Sequence, residues 1–323
     1  MKKIAVFTSG GDSPGMNAAI RAVVRAGIYN GLDVYGIVRG YDGMINGDII
    51  KMESHSVGNI IQRGGTILKS ARSARFFTYE GRKQAFEKLQ EFGIEALVAI
   101  GGDGTFKGAE ALSKEFGVKV IGLPGTIDND LRGTDFTIGY DTAINTVVEA
   151  VDKLRDTADS HDRLFVVEVM GRDAGFIAMR SGIGAGAEAV LVPENPTYID
   201  QLVKVLDRGW RRQKMSSIII VAEGDESGGA FEVARKIKEK LTNYDIRVTI
   251  LGHVQRGGSP SCMDRLLASR LGVAAVEGLI EGKTNVMAGV VDKNIKFTPF
   301  SEAIKHHTVL NGDMMRLVEI LSI

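Results

Sequence analysis

The sequence predicts an α/β fold of two doubly wound, Rossmann-like domains, each with three layers and a mainly parallel sheet. The apolar runs at residues 4–8 and 96–100 are each followed by a glycine-rich loop and then by a helical pattern. Near-continuous apolar runs are typical of parallel strands, because helices cover both faces of such a sheet. Strand and helix also alternate in the second half of the chain, so we expect a second sheet there.

The individual elements are predicted from apolar periodicity and from glycines at helix ends. The first helical pattern closes at Gly31 and a later one at Gly93, because glycine readily takes the left-handed conformation that ends a helix. The expected strands span 4–8, 34–38, 96–100, 118–123, 164–169, 189–192, 217–222, 247–251 and 286–291. The expected helices span 16–29, 79–92, 142–157, 200–211, 231–241, about 261–279 and most of 302–323. A further helix is expected to follow the loop at 101–105 and to end at about residue 116.

Composition argues against several classes of protein. The 323 residues include 40 basic and 40 acidic side chains, so the basic excess of a nucleic-acid or membrane-surface protein is absent. Cys262 is the only cysteine, which excludes an intrachain disulfide and fits a reducing compartment. The first apolar run is too short for a signal sequence, and no run is long enough to span a membrane. We therefore expect a cytoplasmic protein.

Two loops have the layout of a phosphate-binding cradle. Residues 9–15 and 101–105 each lie between an apolar strand and a helix, where loop amides and the helix amino end face an anion. The alternative is an ordinary tight turn between strand and helix. The second loop also contains Asp103, and a carboxylate flanked by small residues can hold Mg²⁺.

A third loop supplies candidate catalytic carboxylates. Residues 125–130 follow the apolar strand at 118–123, and ligands bind at the carboxyl ends of parallel strands. Asp128 and Asp130 are two residues apart, so in an extended segment they point the same way. One can then accept a proton while the other holds a metal. The alternative is a loop in which these side chains bond their own backbone.

Arginines near strand ends add candidate phosphate ligands. Arginine grips phosphate through two hydrogen bonds, although a single surface arginine is more often part of an ion pair. Two phosphate cradles, a metal-binding carboxylate and a carboxylate base together indicate phosphoryl transfer. Arg21 and Arg25 share one face of the first helix, which is either a solvated face or a separate anion site. The arginines expected where ligands bind are Arg72, Arg163, Arg172, Arg247 and Arg256.

Five motifs in the same order resemble the bacterial ATP-dependent 6-phosphofructokinases. They are SGGD at 9–12, GGDG at 101–104, PGTIDND at 124–130, EVMGR at 168–172 and GHVQRGGS at 252–259. The similarity runs essentially the length of the chain. It implies a kinase of glycolysis that uses ATP and Mg²⁺ to phosphorylate fructose 6-phosphate at O1, giving fructose 1,6-bisphosphate and ADP.

The resemblance implies a role for each residue that matches a family motif. Asp128 would take the proton of the sugar 1-hydroxyl, Arg172 would stabilise the moving phosphoryl group, and Asp103 and Asp130 would serve Mg²⁺. Thr126 and Asp130 complete the implied catalytic set. The implied ATP-binding residues are Gly11, Tyr41, Arg72, Ser73, Gly102, Asp103, Gly104, Thr105 and Gly108. The implied sugar-phosphate residues are Thr126, Ile127, Asp128, Arg163, Met170, Gly171, Arg172, Glu223, Arg247, His253 and Arg256.

Oligomerisation and regulation are implied in the same way. Family members are homotetramers with shared active and effector sites, in which Arg163 and Arg247 would reach in from a neighbouring subunit. Ser54 and Met215 stand where other members often carry basic residues, so we expect weak regulation by ADP or phosphoenolpyruvate. The implied effector residues are Arg21, Arg25, Arg155, Gly186, Glu188, Arg212 and Lys214.

Two glycines favour ATP over pyrophosphate as the phosphoryl donor. Pyrophosphate-using relatives carry Asp at the position of Gly104 and Lys at that of Gly125. An aspartate at 104 would crowd and repel the α-phosphate of a nucleotide. The rival interpretations are a related kinase, the pyrophosphate enzyme and a non-catalytic sugar-phosphate sensor. A degenerate sensor is expected to have lost its catalytic carboxylates or Arg172, and this sequence keeps them.

The resemblance finally implies how the chain is shared between domains. Residues 1–139 with 255–304 would form the ATP-binding domain, and residues 140–254 with 305–323 would form the sugar-phosphate-binding domain. The active site would lie in the cleft between them.

Overall fold

The computed structural model describes residues 1–161, 163–211, 216–242, 245–303 and 312–321. The chain divides into two compact units. Unit 1 comprises Met1–Ile127, Leu131–Thr142 and Arg256–His306, and unit 2 comprises Asp128–Asp130, Ala143–Gln255 and His307–Ile323. The short segment with Asp128 and Asp130 therefore groups with unit 2, although its neighbours in sequence belong to unit 1. Which unit binds which substrate stays a prediction.

Strands and helices alternate through most of the chain. The strands are β1 (Lys3–Thr8), β2 (Asp33–Ile37), β3 (Ile49–Met52), β4 (Ala96–Gly101), β5 (Lys119–Pro124), β6 (Arg163–Val169), β7 (Ala189–Leu191), β8 (Ser217–Ala222), β9 (Asp245–Ile250), β10 (Val286–Val291) and β11 (Asn294–Pro299). The helices are α1 (Met16–Tyr29), α2 (Gly40–Asn46), α3 (Tyr79–Phe92), α4 (Asp103–Phe116), α5 (Tyr140–Asp159), α6 (Phe176–Gly184), α7 (Ile199–Arg211), α8 (Gly229–Lys238), α9 (Cys262–Ile280) and α10 (Gly312–Leu321). Short 3₁₀ turns occupy Ser54–Val57, Arg75–Phe77 and Gly252–Arg256.

Unit 1 is built on a seven-stranded sheet with the order β11-β10-β5-β4-β1-β2-β3. The five central strands are parallel, whereas β3 and β11 pair antiparallel at the two edges. Alternate residues of β1 enter different cores, because successive strand side chains point to opposite faces. Ile4 and Val6 belong to one apolar cluster, and Ala5 and Phe7 belong to another. This sheet brings the carboxyl ends of β1, β4 and β5 side by side.

Unit 2 is built on a four-stranded parallel sheet with the order β7-β8-β6-β9. The central strands β6 and β8 are strongly apolar, and Val166 and Ile219 are fully buried in one cluster. Helix α8 closes that cluster with Ala230, Val233 and Ile237. The order reverses direction at β6, so this sheet also has a switch point at which loops diverge.

The predicted fold class is confirmed, with two sheets that are mainly parallel. Strands 217–222 and 286–291 and helices 16–29 and 79–92 agree residue for residue with the structure. Thr78 caps α3, since its hydroxyl accepts the Gly81 amide at 3.1 Å. Within the described ranges, no helix is long and apolar enough to cross a membrane.

Other predictions were wrong or incomplete. Helix α2 and the edge strands β3 and β11 were not predicted. In β11 the reason is that most residues alternate between exposed and half-buried positions, so the strand lacks an apolar run. The C-terminal segment is helical only at Gly312–Leu321, while Glu302 lies in a turn and Ala303 in a bend. The rest of that prediction, 304–311 and 322–323, lies outside the described residues.

Candidate active site

Three loops of unit 1 meet at the carboxyl ends of β1, β4 and β5. The Ser9 amide donates to the Ile100 carbonyl at 3.0 Å, and the Gly125 amide donates to the Gly101 carbonyl, also at 3.0 Å. The Thr105 hydroxyl donates to the Ser9 carbonyl at 3.1 Å. The structure thus joins the two predicted phosphate cradles to the start of the loop that carries the aspartates.

Close packing of backbone explains the glycines in these loops. A Cβ on Gly101 would lie 2.3 Å from the Thr105 hydroxyl, so a larger residue would separate the strands. Gly104 is different, because nothing lies within 4 Å of a Cβ built there. Since Gly104 is in the first turn of α4, whose amino end attracts anions, the space beside it suits a phosphate.

Tyr41, a predicted ATP-binding residue, lies under the second cradle. Its ring is buried and stacks on Phe76 with centroids 3.9 Å apart, and its hydroxyl donates to the Thr105 carbonyl at 2.5 Å. Burial raises the pKa of Tyr41 well above the ordinary value. A Cβ on Gly108 would meet the ring at 2.9 Å. Tyr41 therefore packs against the first turns of α4 and bonds them through its neutral hydroxyl.

The segment at 72–77 borders the same region. Arg72 is exposed, and the Ser73 hydroxyl donates to an Asp42 carboxylate oxygen at 3.1 Å. Arg75 binds that same oxygen at 2.7 Å. These two contacts, led by Arg75, hold the pKa of Asp42 below its usual range. Asp42 thereby anchors the segment to α2 while the Arg72 side chain stays accessible.

Asp128 and Arg172 form the most distinctive pair in unit 2. The Asp128 side chain is only 4% exposed, whereas that of Arg172 is 52% exposed, and Arg172 Nε lies 3.6 Å from Asp128 Oδ2. The two side chains are within ion-pair distance, with the carboxylate on the buried side and the guanidinium on the exposed side. A buried carboxylate, the predicted base, thus lies beside a cation that is accessible to a ligand.

The expected extended geometry of the two aspartates is wrong. The chain bends at Ile127 and Asp128, and Asn129 has a left-handed φ of 53°. Such a turn is favoured by asparagine, whose side chain tolerates this conformation. Asp128 and Asp130 are both buried, but the alternation of an extended strand does not determine where they point.

The loop after β6 is held in an unusual conformation by Glu223. Gly171 and Arg172 have positive φ values of 144° and 53°. A Glu223 carboxylate oxygen accepts the amides of Gly171 at 3.3 Å and Arg172 at 2.8 Å. A Cβ on Gly224 would lie 1.9 Å from the Arg172 carbonyl, which explains the glycine. Glu223, predicted as a sugar ligand, therefore also fixes the direction of Arg172.

Gln255 was not among the site residues predicted from the sequence. It is fully buried, and its side-chain oxygen accepts the Met170 amide at 3.2 Å while its amide donates to the Gly252 carbonyl at 3.0 Å. The neighbouring His253 is exposed. Gln255 lies inside the GHVQRGGS motif, so its polar character between glycines was the available signal. It ties the loop with His253 to the loop that follows β6.

Arg256 lies against the first glycine loop of unit 1. Its Nη1 donates to the Asp12 carbonyl at 3.2 Å, and a Cβ on Gly11 would come within 2.7 Å of that nitrogen. A larger residue at Gly11 would thus displace the guanidinium. Arg256, predicted as a sugar-phosphate ligand, and Gly11, predicted to bind ATP, are brought together by the structure.

Arg163 and Arg247 do not lie where the sequence placed them. Arg163 is the first residue of β6 and Arg247 is in the first half of β9, so both are at the amino ends of their strands. Both bind Asp245 Oδ2, at 3.0 Å in each case. Ligand sites of parallel sheets lie at the opposite, carboxyl end. The predicted strands 164–169 and 247–251 already begin at or beside these two arginines, so expecting them where ligands bind did not take strand direction into account.

Residues predicted for the effector site fall in both units. Arg155 Nη2 donates to the carbonyls of Ala185 at 2.7 Å and Gly186 at 2.9 Å, and Nη1 lies 4.0 Å from Glu188. In unit 1, burial and then the charge of Arg25 lower the pKa of Arg21. Arg212, Lys214 and Met215 lie outside the described residues.

The predicted metal carboxylates have the right chemistry for Mg²⁺. Asp103 is in the first turn of α4 and its Oδ2 receives Lys107 Nζ at 2.7 Å. Within the described part of the chain, no group of three or more His, Cys, Asp or Glu side chains is placed to hold a metal. Mg²⁺ is commonly held by one or two carboxylates together with substrate phosphates, so the carboxylate of each aspartate, taken by itself, is a ligand of the kind that this ion prefers.

The fold and these loops define an α/β enzyme with two predicted phosphate cradles and a carboxylate–arginine pair. The family model for phosphofructokinase matches residues 3–279. The chain is 59% identical to ATP-dependent 6-phosphofructokinase of Cytophaga hutchinsonii, covering 100% of this chain and 98% of that protein. It is 56% identical to ATP-dependent 6-phosphofructokinase 1 of Thermus thermophilus, covering 100% of both chains. The chain therefore belongs to the phosphofructokinase family and is an enzyme of that family.

Solved structures agree with this assignment. The chain superimposes on phosphofructokinase from Saccharomyces cerevisiae with a TM-score of 0.91 and 38% identity, covering 100% of this chain and 48% of that one. It thus spans about half the length of the yeast chain. A pyrophosphate-dependent phosphofructokinase from Marinobacter aquaeolei gives a TM-score of 0.85 at 22% identity, covering 99% and 91%, and shows the shared fold alone.

Proposed function

We propose that this chain phosphorylates fructose 6-phosphate at O1 with ATP, in the committed step of glycolysis. The observation that carries the proposal is the pair of Asp128, almost fully buried, and Arg172, half-exposed, 3.6 Å apart. A carboxylate in that setting is a candidate base for a sugar hydroxyl, and the accessible cation is suited to a phosphoryl group. The curated relatives described above are named for this activity, which supports the assignment.

The proposed chemistry divides among the described residues. The Asp128 carboxylate accepts the proton of the sugar 1-hydroxyl as the hydroxyl oxygen attacks the γ-phosphorus, while the bond from that phosphorus to the β–γ bridging oxygen breaks and ADP leaves. Arg172 offsets the charge that develops on the phosphoryl oxygens. Glu223 holds the amides of Gly171 and Arg172, so the cation is aimed before substrate arrives. Asp103 and Asp130 are the residues that would hold Mg²⁺, which neutralises phosphate charge when bound.

Gly104 supports ATP as the donor. A Cβ at this position meets no atom within 4 Å, so the protein itself leaves space for an aspartate. We infer that a nucleotide phosphate uses this space, and that Asp at 104 would exclude it by charge and volume. The variant Gly104→Asp is expected to fold normally, because no protein atom opposes the new side chain, and to lose ATP-dependent activity.

We also propose a homotetramer that is weakly regulated by ADP or phosphoenolpyruvate. Arg163 and Arg247 lie at the amino ends of β6 and β9, where they are suited to serve a neighbouring subunit rather than the site beside Arg172. Ser54 and Met215 replace cations of other members, and each lost exposed contact weakens anion binding by roughly 1 kcal/mol. Tight inhibition by phosphoenolpyruvate in a titration of initial rates would contradict weak regulation.

The deciding experiment measures fructose 1,6-bisphosphate formation with ATP and with pyrophosphate, in wild type, Asp128→Asn and Gly104→Asp. We expect turnover with ATP only, and a fall in kcat of about 10²–10⁴-fold for Asp128→Asn, because the base is lost. Turnover with pyrophosphate but not with ATP would show that pyrophosphate, and not ATP, is the phosphoryl donor. No product with either donor, together with retained fructose 6-phosphate binding by calorimetry, would favour the sensor.

A further inference from the structure

A buried aspartate that is not among the predicted site residues bonds the chain just after the loop that carries Asp128. Asp264 is the third residue of α9 and is 1% exposed. Its Oδ1 accepts the Gly139 amide at 2.8 Å, and its Oδ2 accepts the Thr142 amide at 2.8 Å and the Thr142 hydroxyl at 2.5 Å. Both oxygens are therefore bonded to the backbone or side chains at the amino end of α5.

The contact is reciprocal. The Ser261 amide donates to the Thr142 hydroxyl at 2.9 Å, and the Ser261 hydroxyl donates to Asp141 Oδ2 at 2.6 Å. Helices α5 and α9 thus begin side by side, and each supplies an acid or a hydroxyl that bonds a group at the start of the other. Carboxylates are favourable there because a helix amino end carries partial positive charge.

The stretch that Asp264 holds is the closing end of the loop with Asp128. Gly125 and Ile138 form a parallel bridge, and the Ile138 amide donates to the Pro124 carbonyl at 2.8 Å. Residues 126–137 are therefore a loop whose two ends are joined. Gly139 directly follows the bridge residue Ile138, so the Asp264 contact fixes the chain at the point where the loop ends.

The same junction packs against the first glycine loop. Gly139 has a φ of 104°, and a Cβ there would lie 2.6 Å from Ser13 Cβ. Gly15, with a φ of 106°, would clash with Ile138 at 2.7 Å if it carried a Cβ. With both glycines packed this closely, a shift of the loop exit cannot be absorbed locally and must move one of the two loops.

We propose that Asp264 is a positioning residue of the phosphoryl-transfer reaction: by bonding Gly139 and Thr142 it fixes the loop that carries Asp128. The inference rests on the proposed function. Burial raises the pKa of Asp264, whereas the donors on Thr142 and Gly139 act against that shift. An asparagine at 264 keeps one acceptor oxygen, but its amide nitrogen cannot accept a hydrogen bond, so the donors that face one of the two Asp264 oxygens lose their acceptor.

The test compares Asp264→Asn with wild type by steady-state kinetics and by hydrogen exchange of the peptide spanning 126–142. We expect kcat to fall about 10- to 100-fold, since a small displacement of a reacting group costs that much. KM for ATP and for fructose 6-phosphate should stay within about threefold, because the ligands themselves are untouched. Exchange in 126–142 should quicken.

Matched variants keep the proposal falsifiable. Glu95→Gln removes another carboxylate that accepts backbone amides, those of Lys2 and Lys3, at the amino end of the unit 1 sheet, and should leave kcat unchanged. If Asp264→Asn does not fold, Thr142→Val removes the hydroxyl that donates to Asp264 and accepts from the Ser261 amide, and leaves the backbone contacts of Asp264 in place, whereas Thr142→Ser keeps that hydroxyl. Valine should lower kcat and serine should not.

The outcomes separate this inference from the proposed function. An active wild type with an equally active, merely less heat-stable Asp264→Asn would overturn the positioning role. Equal kcat in the valine and serine variants would do the same. A wild type that forms no fructose 1,6-bisphosphate would contradict the proposed function. Hydrogen exchange of residues 126–142 would still show whether Asp264 holds the loop.

Discussion

The two ends of strand β6 carry arginines in opposite circumstances. Beyond the carboxyl end, Arg172 faces the buried Asp128, and its left-handed backbone is held by Glu223. At the amino end, Arg163 shares Asp245 with Arg247 of the neighbouring strand. Strand β6 from Arg163 to Val169 is roughly 20 Å long at the rise of a strand, so the two arginines lie near opposite ends of it.

The comparison teaches that residue type alone does not identify a catalytic arginine. Arg172 is aimed by a conformation that two amide bonds to Glu223 maintain, and its carboxylate partner is buried. Arg163 and Arg247 have an exposed partner, Asp245, so their guanidinium groups can exchange it for a phosphate at little cost. We expect the first end to govern catalysis and the second to govern substrate affinity.

The largest effect is expected at Arg172. Arg172→Ala should lower kcat about 10²–10³-fold, because a donor aimed at developing charge is lost. KM for ATP should change by less than about threefold. Stopped or quenched single-turnover assays would show the loss in the chemical step. Retention of kcat with a raised KM for fructose 6-phosphate would instead place Arg172 with the binding arginines.

The second effect concerns Arg247 at the other end of the sheet. Arg247→Ala should raise KM for fructose 6-phosphate about 10- to 100-fold, as expected for a lost hydrogen bond to a charged group, with kcat nearly unchanged. Assemblies that contain both Arg247→Ala and Asp128→Asn subunits should be more active at low fructose 6-phosphate than the two parents together. Activity equal to the sum of the parents would contradict sharing between copies.

The smallest effect is expected at Asp245. Arg247 and then Arg163 hold the pKa of this carboxyl below its usual value of 3.8. Because the folded pKa is depressed, the attraction is complete above that usual value and is lost as pH falls through the lower one. Asp245→Asn should lower Tm by less than about 2 °C between about pH 5 and pH 9, since an exposed ion pair contributes little.

Thermal unfolding across pH would test this. The difference in Tm between wild type and Asp245→Asn should shrink as pH falls below 3.8 and disappear only below the depressed pKa of Asp245 in the folded protein. A difference that persists there would show that the asparagine acts through packing and not through charge. In either case KM for fructose 6-phosphate should change far less than in Arg247→Ala.

Much of the fold could be predicted because strong local patterns agree with the tertiary structure. Strands β8 and β10 and helices α1 and α3 have apolar periods long enough to fix their limits. The edge strands β3 and β11 were missed, because each pairs with one neighbour only and mixes buried with accessible residues. The turn at Asn129 was missed as well, since its φ depends on a loop closed by residues distant in sequence.

The sequence by itself determined the parallel α/β class, the positions of the glycine loops, and the choice of Asp128 and Arg172 as candidates. These depend on short-range patterns, which survive without knowledge of neighbours. Only the tertiary structure decided that Arg163 and Arg247 share Asp245, that the Tyr41 hydroxyl bonds the Thr105 carbonyl, and that Asp264 holds Gly139 and Thr142. Those facts arise from contacts between segments that lie far apart in the chain, and a linear pattern does not contain them.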